Sequence, residues 1–374
     1  MHKVIIVAGE SSGDMHGSNL AKALKELEPD IQLFGLGGKR MEQSGVSIFR
    51  DVTKHAAVGI FEGIITFPRL FNTFFSFLAE IKKLKPDLVV LIDYPEFNLR
   101  LAKRLKHTGI PVIYYICPQV WAWREYRLST LATCINKLLV ILPFEEKYYR
   151  RRKIAAEYVG HPALDYLDNI TISDSLRKQI KVPSKNFLIG LLPGSRRTEV
   201  RRLFPLLKES VALIKRKIPN TSFVVGLAPG IKEYRLGLEQ NSDIKIWHNA
   251  YEVMKSSDLL LTCSGTATLE AAILGTPMIV FYRVSILTWV MCINLLRTKN
   301  YALCNIVAEK RVVPELIQWQ ATPSSIAANA VKILNSSRLS EIRKEFVEVK
   351  KKLGKPGASK RAAQSIINFL RGRD

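Results

Sequence analysis

One stretch decides the fold: DLLLTCSGTATLEAAILGTPMIVFYR, from Asp258 to Arg283. Its beginning predicts a buried strand, the small residues after Cys263 begin an amphipathic helix, and Gly275-Thr276-Pro277 leads into a second apolar strand. A strand, a helix and a strand in this order are typical of a parallel βαβ unit. The stretch therefore predicts an α/β protein.

The same alternation continues along the chain and predicts two Rossmann-like, doubly wound domains. Apolar strands such as KVIIVA, DLVVLID and FLIGLLPG each precede a helical pattern, and the alternation pauses at YVGHPAL, residues 158–164. We therefore expect an amino-terminal domain over 1–164, a carboxy-terminal domain over 165–340 and a helical tail over 341–374 that could pack back on the first domain. Two such domains facing a cleft would bind ligands at the carboxyl ends of their strands.

The composition indicates a basic protein. The 374 residues include 56 Lys and Arg against 33 Asp and Glu, a formal net charge of +23. This charge favours nucleic acid, an anionic membrane or phosphorylated substrates, without choosing among them. The five cysteines are scattered without metal-site spacing, which is typical of a reducing compartment. No export signal precedes the first strand, so we expect a cytoplasmic protein.

Ser264, Gly265 and Thr266 stand where the helix of the opening stretch begins. The unpaired N–H groups and the positive dipole end of a helix favour a phosphate. Glu270 follows one turn later, where its carboxylate suits ribose hydroxyls. This pattern predicts a sugar-nucleotide site. The alternative is an ordinary capped helix of a parallel sheet.

Asp93 ends the strand DLVVLID, and Glu96 follows a turn stiffened by Pro95. A carboxylate at the carboxyl end of a strand can take a proton from an attacking hydroxyl. The alternative is an Asp that caps the helix beginning near Phe97. Together with the nucleotide pattern, the position favours catalysis by Asp93.

Ser195 and Arg196 open the first βα turn of the second domain, in the motif LLPGSRRTE. The guanidinium of Arg196 could make charge-assisted hydrogen bonds to a leaving diphosphate. Capping of the following helix by Ser195 is the alternative, and the same geometry can serve both roles.

Two glycine turns follow strands in the first domain, AGESSGD at residues 8–14 and GLGG at residues 35–38. Neither is GxGxxG, so a nicotinamide site is poorly supported. Glu10, Ser12 and Asp14 belong to the first turn as candidate substrate ligands. The alternative is a small-residue turn in which Asp14 caps a helix.

The segment from Val58 to Leu78, VGIFEGIITFPRLFNTFFSFL, is too apolar for an exposed loop. Glu62, Pro68 and Arg69 interrupt it, so it does not predict a membrane span. It is either a core helix or a segment that lies on a bilayer with its apolar face inserted. The side chains that would enter the bilayer are Ile64, Phe67, Phe71, Phe74, Phe75 and Leu78.

Taken together, these motifs resemble the lipid-A-disaccharide synthase family in kind, order and spacing. The resemblance extends from the first strand to about Leu316 and is carried by AGESSGD, GLGGKRM, VGIFEGI, IDYPEFN, PQVWAW, LPFE, GHP, LLPGSR, SGTATLE, GTPMIVFYR and the region of Asn305. Glu96 replaces the family's commoner Asp, and Cys117 its commoner Ser.

The resemblance implies a GT-B fold and a glycosyl-transfer reaction. In that reaction a diacylated glucosamine passes from UDP to diacylglucosamine 1-phosphate (lipid X), with inversion, giving a β-1,6-linked disaccharide 1-phosphate and UDP. Asp93 matches the family's essential aspartate and Arg196 its essential arginine. The other positions it assigns are Glu270 at the ribose, Ser264, Gly265 and Thr266 near the diphosphate, Asn305 nearby, and the AGESSGD turn on the acceptor side.

The resemblance also implies that the apolar segment from Val58 meets a membrane. We therefore expect a peripheral enzyme on the cytoplasmic face of the inner membrane, where its charge meets an anionic surface, with no nucleic-acid partner. We expect no cofactor and no metal, since the sequence lacks a DxD-type pair and cationic and dipolar groups can stabilise the leaving diphosphate.

Two other functions remain open. One is another GT-B enzyme that uses UDP-N-acetylglucosamine, either an epimerase or a soluble transferase, which needs no membrane face. The other is a basic nucleic-acid-binding protein, although the chain has no aromatic-basic motif of the usual RNA modules.

Overall fold

The computed structural model describes residues 1–51, 62–169, 175–228, 230–238, 242–286, 289–290 and 298–372, with the backbone alone at 62–71, 168–169 and 234–235. The chain forms two compact units. Unit 1 comprises Met1–Asp165 and Lys355–Asp374, and unit 2 comprises Tyr166–Gly354.

Unit 1 is built on a parallel sheet of seven strands in the order β3-β2-β1-β4-β5-β6-β7. The central strands are continuous runs of Val, Ile and Leu because helices cover both faces of the sheet. The strands are β1 Lys3–Ala8, β2 Gln32–Gly37, β3 Ser47–Asp51, β4 Leu88–Ile92, β5 Val112–Tyr115, β6 Lys137–Val140 and β7 Ala156–Tyr158.

The helices of the first segment alternate with these strands. They are α1 Ser11–Leu27, α2 Lys39–Gln43, α3 Glu62–Leu84, α4 Pro95–Leu105, α5 Leu128–Cys134, α6 Pro143–Arg150 and α7 Pro162–Asn169, and α7 carries the chain into unit 2. Alternate residues of the strands β1, β4, β5 and β6 enter two separate buried clusters, one on each face of the sheet. On β5, Tyr114 belongs to one cluster and Tyr115 to the other.

Unit 2 repeats the architecture with six parallel strands in the order β10-β9-β8-β11-β12-β13. The strands are β8 Phe187–Leu192, β9 Thr221–Gly226, β10 Ile244–Trp247, β11 Leu259–Cys263, β12 Met278–Tyr282 and β13 Glu315–Ile317. The helices are α8 Leu176–Gln179, α9 Arg197–Lys217, α10 Ala250–Ser256, α11 Thr266–Ile273, α12 Leu303–Ala308, α13 Pro323–Leu334 and α14 Arg338–Lys352. The two parallel sheets confirm the predicted α/β fold class.

The last helix, α15 Ala358–Leu370, belongs to unit 1. Its apolar face, with Ala362, Ala363, Ile366 and Ile367, joins the buried cluster that α1 also covers. The stretch predicted as one tail is thus divided at its glycines: α14 ends before Gly354, whose φ is +78°, and lies in unit 2.

Two local predictions differ from the structure. Helix α1 begins at Ser11 and so takes in most of the predicted AGESSGD turn. Gly17, inside this helix, leaves room for Met41, since a Cβ at this position would lie 2.6 Å from the Sδ of Met41. The apolar spacing of EYRLGLEQ, residues 233–240, also predicts a helix; in the described part of that segment the structure has only a short 3-10 helix, Glu233–Leu236, which ends before Gly237 with φ +57°.

None of the helices that the structure describes is both long enough and apolar enough to cross a bilayer.

Candidate functional site

The predicted phosphate loop lies at the carboxyl end of β11, where α11 begins. Gly265 and Thr266 are exposed, and Ser264 donates its hydroxyl to the carbonyl of Tyr301 at 3.1 Å. The hydroxyl of Thr268 donates to the carbonyl of Gly265 at 2.8 Å and ties the loop to the first turn. The helix start is therefore anchored from behind, and its N–H end is open to an anion.

Glu270 lies on α11 with only 8% of its surface exposed. Its Oε1 accepts hydrogen bonds from the hydroxyls of Tyr166 and, at 3.3 Å, Tyr251. Burial raises the pKa of Glu270, and the two hydroxyls oppose that shift because they stabilise the carboxylate. These tyrosines are site residues that the sequence did not reveal, since they come from separate segments of unit 2.

Arg196 and Ser195 are both exposed at the carboxyl end of β8. The side chain of Arg196 is 61% exposed and lies 3.6 Å from Glu199. The carboxylate of Glu199 also accepts from the backbone N–H of Arg196 at 3.3 Å. Glu199, three residues after Arg196, thus stabilises the start of α9. The residue at the N-cap of α9 is therefore Arg196, and the capping carboxylate is Glu199 rather than the hydroxyl of Ser195. Most of the Arg196 side chain is still exposed to solvent.

Arg196 and the phosphate loop share one edge of the unit 2 sheet. Strands β8 and β11 are neighbours and parallel, so the residues that follow them emerge side by side. Burial, together with the negative charge of Glu199, raises the pKa of the Cys263 thiol to about 12, and the positive charge of Arg196 opposes this shift. The charge of Arg196 thus reaches the residue that precedes Ser264.

Asn305 is fully buried, and its amide makes four hydrogen bonds within unit 2. It donates to the carbonyl of Val313 at 3.0 Å and to Glu315 at 2.8 Å, and it accepts from the N–H groups of Val312 and Val313. Two donors and two acceptors exhaust a primary amide. We therefore expect Asn305 to position the neighbouring loop rather than to touch the nucleotide.

Asp93 and Tyr94 follow β4 in an unusual backbone conformation, with φ of +45° and +49°. Two consecutive left-handed residues without glycine are strained and persist only when neighbours hold them. The carbonyl of Asp93 accepts from Tyr114 Oη at 2.6 Å and from Asn98 Nδ2 at 2.7 Å. These contacts fix a half-buried carboxylate at the carboxyl edge of the unit 1 sheet.

Glu96 bonds to the guanidinium groups of Arg124 and Arg127. The Arg127 side chain is only 6% exposed, whereas that of Glu96 is 63% exposed. Arg124 also lies over the ring of Trp123, 4.3 Å from the centroid. Glu96, which replaces the commoner Asp of the family pattern, therefore links the Asp93 turn to the arginines that follow the PQVWAW segment.

The AGESSGD motif and the Asp93 turn meet in unit 1. The Tyr94 ring covers Gly9 so closely that a Cβ on Gly9 would lie 2.1 Å from Cδ1 of the ring. Burial raises the pKa of Tyr94, and the negative charge of Glu10 raises it further. Glu10 therefore lies within electrostatic range of the turn, and Ser12 is exposed on the first turn of α1. Both remain candidate acceptor-side residues.

Asp14 is only 6% exposed, and it holds the second glycine turn. It accepts from the N–H groups of Gly38 at 2.8 Å, Arg40 at 3.1 Å and Met41 at 3.1 Å. Asp14 therefore caps α2, a helix that is distant in sequence, rather than its own helix. Because both carboxylate oxygens contact this backbone, we expect Asp14 to shape the turn rather than bind substrate.

Glu145 is a buried carboxylate that the sequence did not single out. It accepts from the indole N–H of Trp121 at 2.9 Å and from the N–H groups of Leu142 and Ile141 at 2.9 and 3.2 Å. Burial raises its pKa to about 7, although these hydrogen bonds favour the ionised form. Glu145 fixes the PQVWAW segment to α6.

The predicted membrane face falls on α3 and is described only in part. The side chains of Ile64, Phe67 and Phe71 lie outside the described residues. Phe74 and Leu78 are half-buried and pack against the core of unit 1, as the core-helix alternative requires. Phe75 is 45% exposed, as an interfacial segment requires.

Among the described residues, no three His, Cys, Asp or Glu side chains are grouped as metal ligands would be.

Solved structures with a fold similar to that of this chain include an epimerase and a glycotransferase. A UDP-GlcNAc 2-epimerase from Neisseria meningitidis, bound to UDP-GlcNAc, matches with a TM-score of 0.62 and 15% identity over 99% of this chain and 100% of that one. The glycotransferase of kitacinnamycin matches with a TM-score of 0.65 and 14% identity over 99% of both chains. At these identities the likeness shows the fold, and it confirms the predicted GT-B class.

Sequence similarity shows the family in addition to the fold. The family model described as Lipid-A-disaccharide synthetase matches residues 4–369. The lipid-A-disaccharide synthase of Syntrophus aciditrophicus is 38% identical over 99% of this chain and 98% of its own length. That of Geobacter metallireducens is 39% identical over 98% and 97%. The chain therefore belongs to the lipid-A-disaccharide synthase family, the glycosyltransferases that make the lipid A disaccharide.

Proposed function

We propose that the protein joins UDP-diacylglucosamine to diacylglucosamine 1-phosphate in a single inverting displacement. The products are the β-1,6-linked disaccharide 1-phosphate and UDP. Family membership supports the two substrate classes, a UDP-sugar donor and a lipid acceptor. The observation that carries the mechanism is the Asp93 turn, whose strained backbone is held by Tyr114 and Asn98.

Asp93 is the proposed base. Its carboxylate accepts the proton of the acceptor's 6-hydroxyl while that oxygen forms a bond to the anomeric carbon of the donor. The bond from the anomeric carbon to the diphosphate breaks on the opposite face, and UDP leaves with the electron pair. A fixed base is effective because it meets the hydroxyl without reorganising in the transition state.

Arg196 and the N–H groups at Ser264, Gly265 and Thr266 are the proposed ligands of the diphosphate. The exposed guanidinium and the open helix start share the carboxyl edge of the unit 2 sheet, which supports this assignment. Charge that grows on the leaving diphosphate would be stabilised there more strongly than in the ground state. Ser195 lies beside Arg196 and is included in the site.

Glu270 is the proposed ribose ligand. Its burial means that ribose hydroxyls would approach a carboxylate already oriented by Tyr166 and Tyr251. A carboxylate can accept about four hydrogen bonds, so two tyrosine hydroxyls leave capacity for the ribose.

We further propose that unit 1 contacts an anionic membrane through the exposed side of α3, so that the enzyme is peripheral on the cytoplasmic face of the inner membrane. The exposed ring of Phe75 and the formal charge of +23 support this contact. Glu10 and Ser12 are the proposed acceptor-side residues.

Purified protein incubated with both substrates tests the function. We expect the disaccharide 1-phosphate by mass spectrometry, UDP in equal amount, and no UDP when the acceptor is omitted. Conversion of UDP-N-acetylglucosamine without an acceptor would instead support an epimerase and contradict the proposal.

A further inference from the structure

Unit 2 has a group of large apolar side chains that are exposed to solvent instead of buried in its core. The side chains of Ile286, Val290 and Trp319 are 71%, 60% and 64% exposed. Trp289, which lies between Ile286 and Val290 in the sequence, is half-buried, and its ring centroid lies 6.3 Å from that of Trp319. We call Ile286, Trp289, Val290 and Trp319 the tryptophan patch.

The turn that carries Trp319 is anchored by hydrogen bonds to the residues that follow β12. Gln318 precedes it with φ +53° and is only 3% exposed. The Gln318 amide accepts from the N–H of Val284 at 2.7 Å and donates to the Val284 carbonyl at 3.2 Å. Arg283 donates to the carbonyls of Gln318 and Ala321 at 3.4 and 3.1 Å. Hydrogen bonds therefore fix the backbone on both sides of Trp319, and its indole is exposed on an anchored turn.

The patch lies at the same sheet edge as the proposed donor site. Trp319 follows β13, and Ile286 comes shortly after β12. These strands are parallel to β11 and β8 in the order β8-β11-β12-β13. The carboxyl ends of all four strands therefore point the same way, and the tryptophan patch continues the edge that carries Arg196 and the phosphate loop.

We propose that the tryptophan patch inserts into an anionic phospholipid bilayer and holds the donor edge of unit 2 at the lipid surface. This inference rests on the proposed function, because a donor with acyl chains has its polar head at this edge and its chains must leave the protein nearby. Indole rings favour the interface of a bilayer, where their apolar body and N–H are both accommodated. The contact is separate from α3, which belongs to unit 1.

Vesicle binding by matched variants tests the patch. Ile286→Ser, Val290→Ser and Trp319→Ser are combined in one variant, and Val347→Ser is the control because Val347 is 54% exposed on α14, outside the patch. With vesicles of phosphatidylethanolamine and phosphatidylglycerol, we expect the triple variant to partition about tenfold more weakly and the control to be unchanged. Equal partitioning of the triple variant and wild type would overturn the proposal.

Quenching by brominated lipids reports insertion directly. Wild-type tryptophan emission should fall on such vesicles, and a Trp289→Phe, Trp319→Phe variant should lose most of that quenching while still binding. Trp247→Phe is the control, since Trp247 lies on β10, at the opposite edge of the unit 2 sheet from β13, and donates its indole N–H to Glu252 of α10. Quenching that persists in the double variant contradicts insertion.

Kinetics separates this inference from the function on which it rests. With substrates in detergent micelles, wild type and the triple variant should turn over alike, whereas on vesicles only the variant should lose activity. Absence of wild-type turnover in micelles defeats the proposed function. Wild-type turnover with unchanged vesicle binding by the variant defeats the patch alone. Self-association that the triple variant abolishes, with vesicle binding intact, would make the patch a contact between copies and also overturn the inference.

Discussion

The hydroxyl of Tyr114 donates to the backbone carbonyl of Asp93 at 2.6 Å, from a side chain that is completely buried. This hydrogen bond holds the main chain of Asp93 and does not involve its carboxylate. Since Asp93 and Tyr94 both adopt left-handed conformations, strain of about 1–3 kcal/mol for each must be balanced by such contacts. The position of the proposed base is therefore determined by the core of unit 1.

Tyr114→Phe should slow the reaction without weakening donor binding. The variant loses one of the two side-chain hydrogen bonds to the Asp93 carbonyl, so the turn can relax. We expect kcat to fall about tenfold, the Kd for UDP to stay unchanged, and the free energy of unfolding to fall by about 1 kcal/mol. Tyr115→Phe is the control, because that side chain belongs to the cluster on the other face of the sheet. Equal losses of kcat in both variants would contradict the assignment.

Asp14→Ala should destabilise unit 1 more than it impairs substrate binding. Three backbone N–H groups lose a buried charged acceptor, so we expect the free energy of unfolding to fall by about 2–4 kcal/mol in urea titrations. Asp14→Asn keeps one acceptor oxygen and should lose about half as much. If stability is unchanged while the KM for the acceptor rises, Asp14 is a substrate ligand instead.

The central strands of both sheets were predictable because buried parallel strands are continuous apolar runs, as in KVIIVA and LVVLI. The short strands β3, β7 and β13 were not predicted, because SIFRD, AEY and ELI are not such runs. The start of α1 was not predicted either, because Gly9 and Gly13 indicate a turn, whereas the structure has Gly13 inside the helix, where a Cβ would lie 3.3 Å from the Cβ of Ala8. A single sequence shows which residues end strands. It does not show which distant residues meet them.

The same limit applies to the site. The positions of Asp93, Arg196 and Ser264 at strand ends followed from the pattern alone. The partners that orient them did not: Tyr114 is one of several strand tyrosines, and Tyr166 comes from a segment remote from Glu270. Asp14 and Asn305 carry chemistry that suits a ligand, and only their hydrogen bonds to backbone groups indicate a structural role.

Arg196→Ala should reduce kcat/KM about a hundredfold, because a cation beside the leaving diphosphate contributes about 3 kcal/mol in the transition state. Arg197→Ala is the matched control, since Arg197 is the exposed next residue and begins α9. Steady-state rates of UDP release at saturating acceptor compare the two. If the two variants lose activity equally, a general effect of positive charge explains the result and the specific role of Arg196 is wrong.

Glu145 should make unit 1 less stable as the pH rises. Burial raises its pKa from about 4.5 to about 7, so the folded state holds its proton more tightly than the unfolded state does. The associated stability is present below pH 4.5 and is lost as the pH rises through 7. Between pH 5 and pH 8 we expect the free energy of unfolding to fall by about 2.5 kcal/mol from this group, at about 1.4 kcal/mol per pKa unit.

Urea titrations of wild type and Glu145→Gln at both pH values check this. The amide does not titrate, so wild type should lose stability relative to the variant at pH 8, while other groups cancel in the comparison. Parallel pH profiles for the two proteins would show that Glu145 is ionised in the folded state throughout.

The most direct measurement is the turnover of Asp93→Asn with both lipid substrates, alongside its affinity for UDP by calorimetry. The amide has the shape of the carboxylate and cannot accept the proton of the 6-hydroxyl. We predict that kcat falls by about 10²- to 10⁴-fold while the Kd for UDP changes less than about twofold. Turnover within about tenfold of wild type, with UDP affinity intact, would show that Asp93 is not the base.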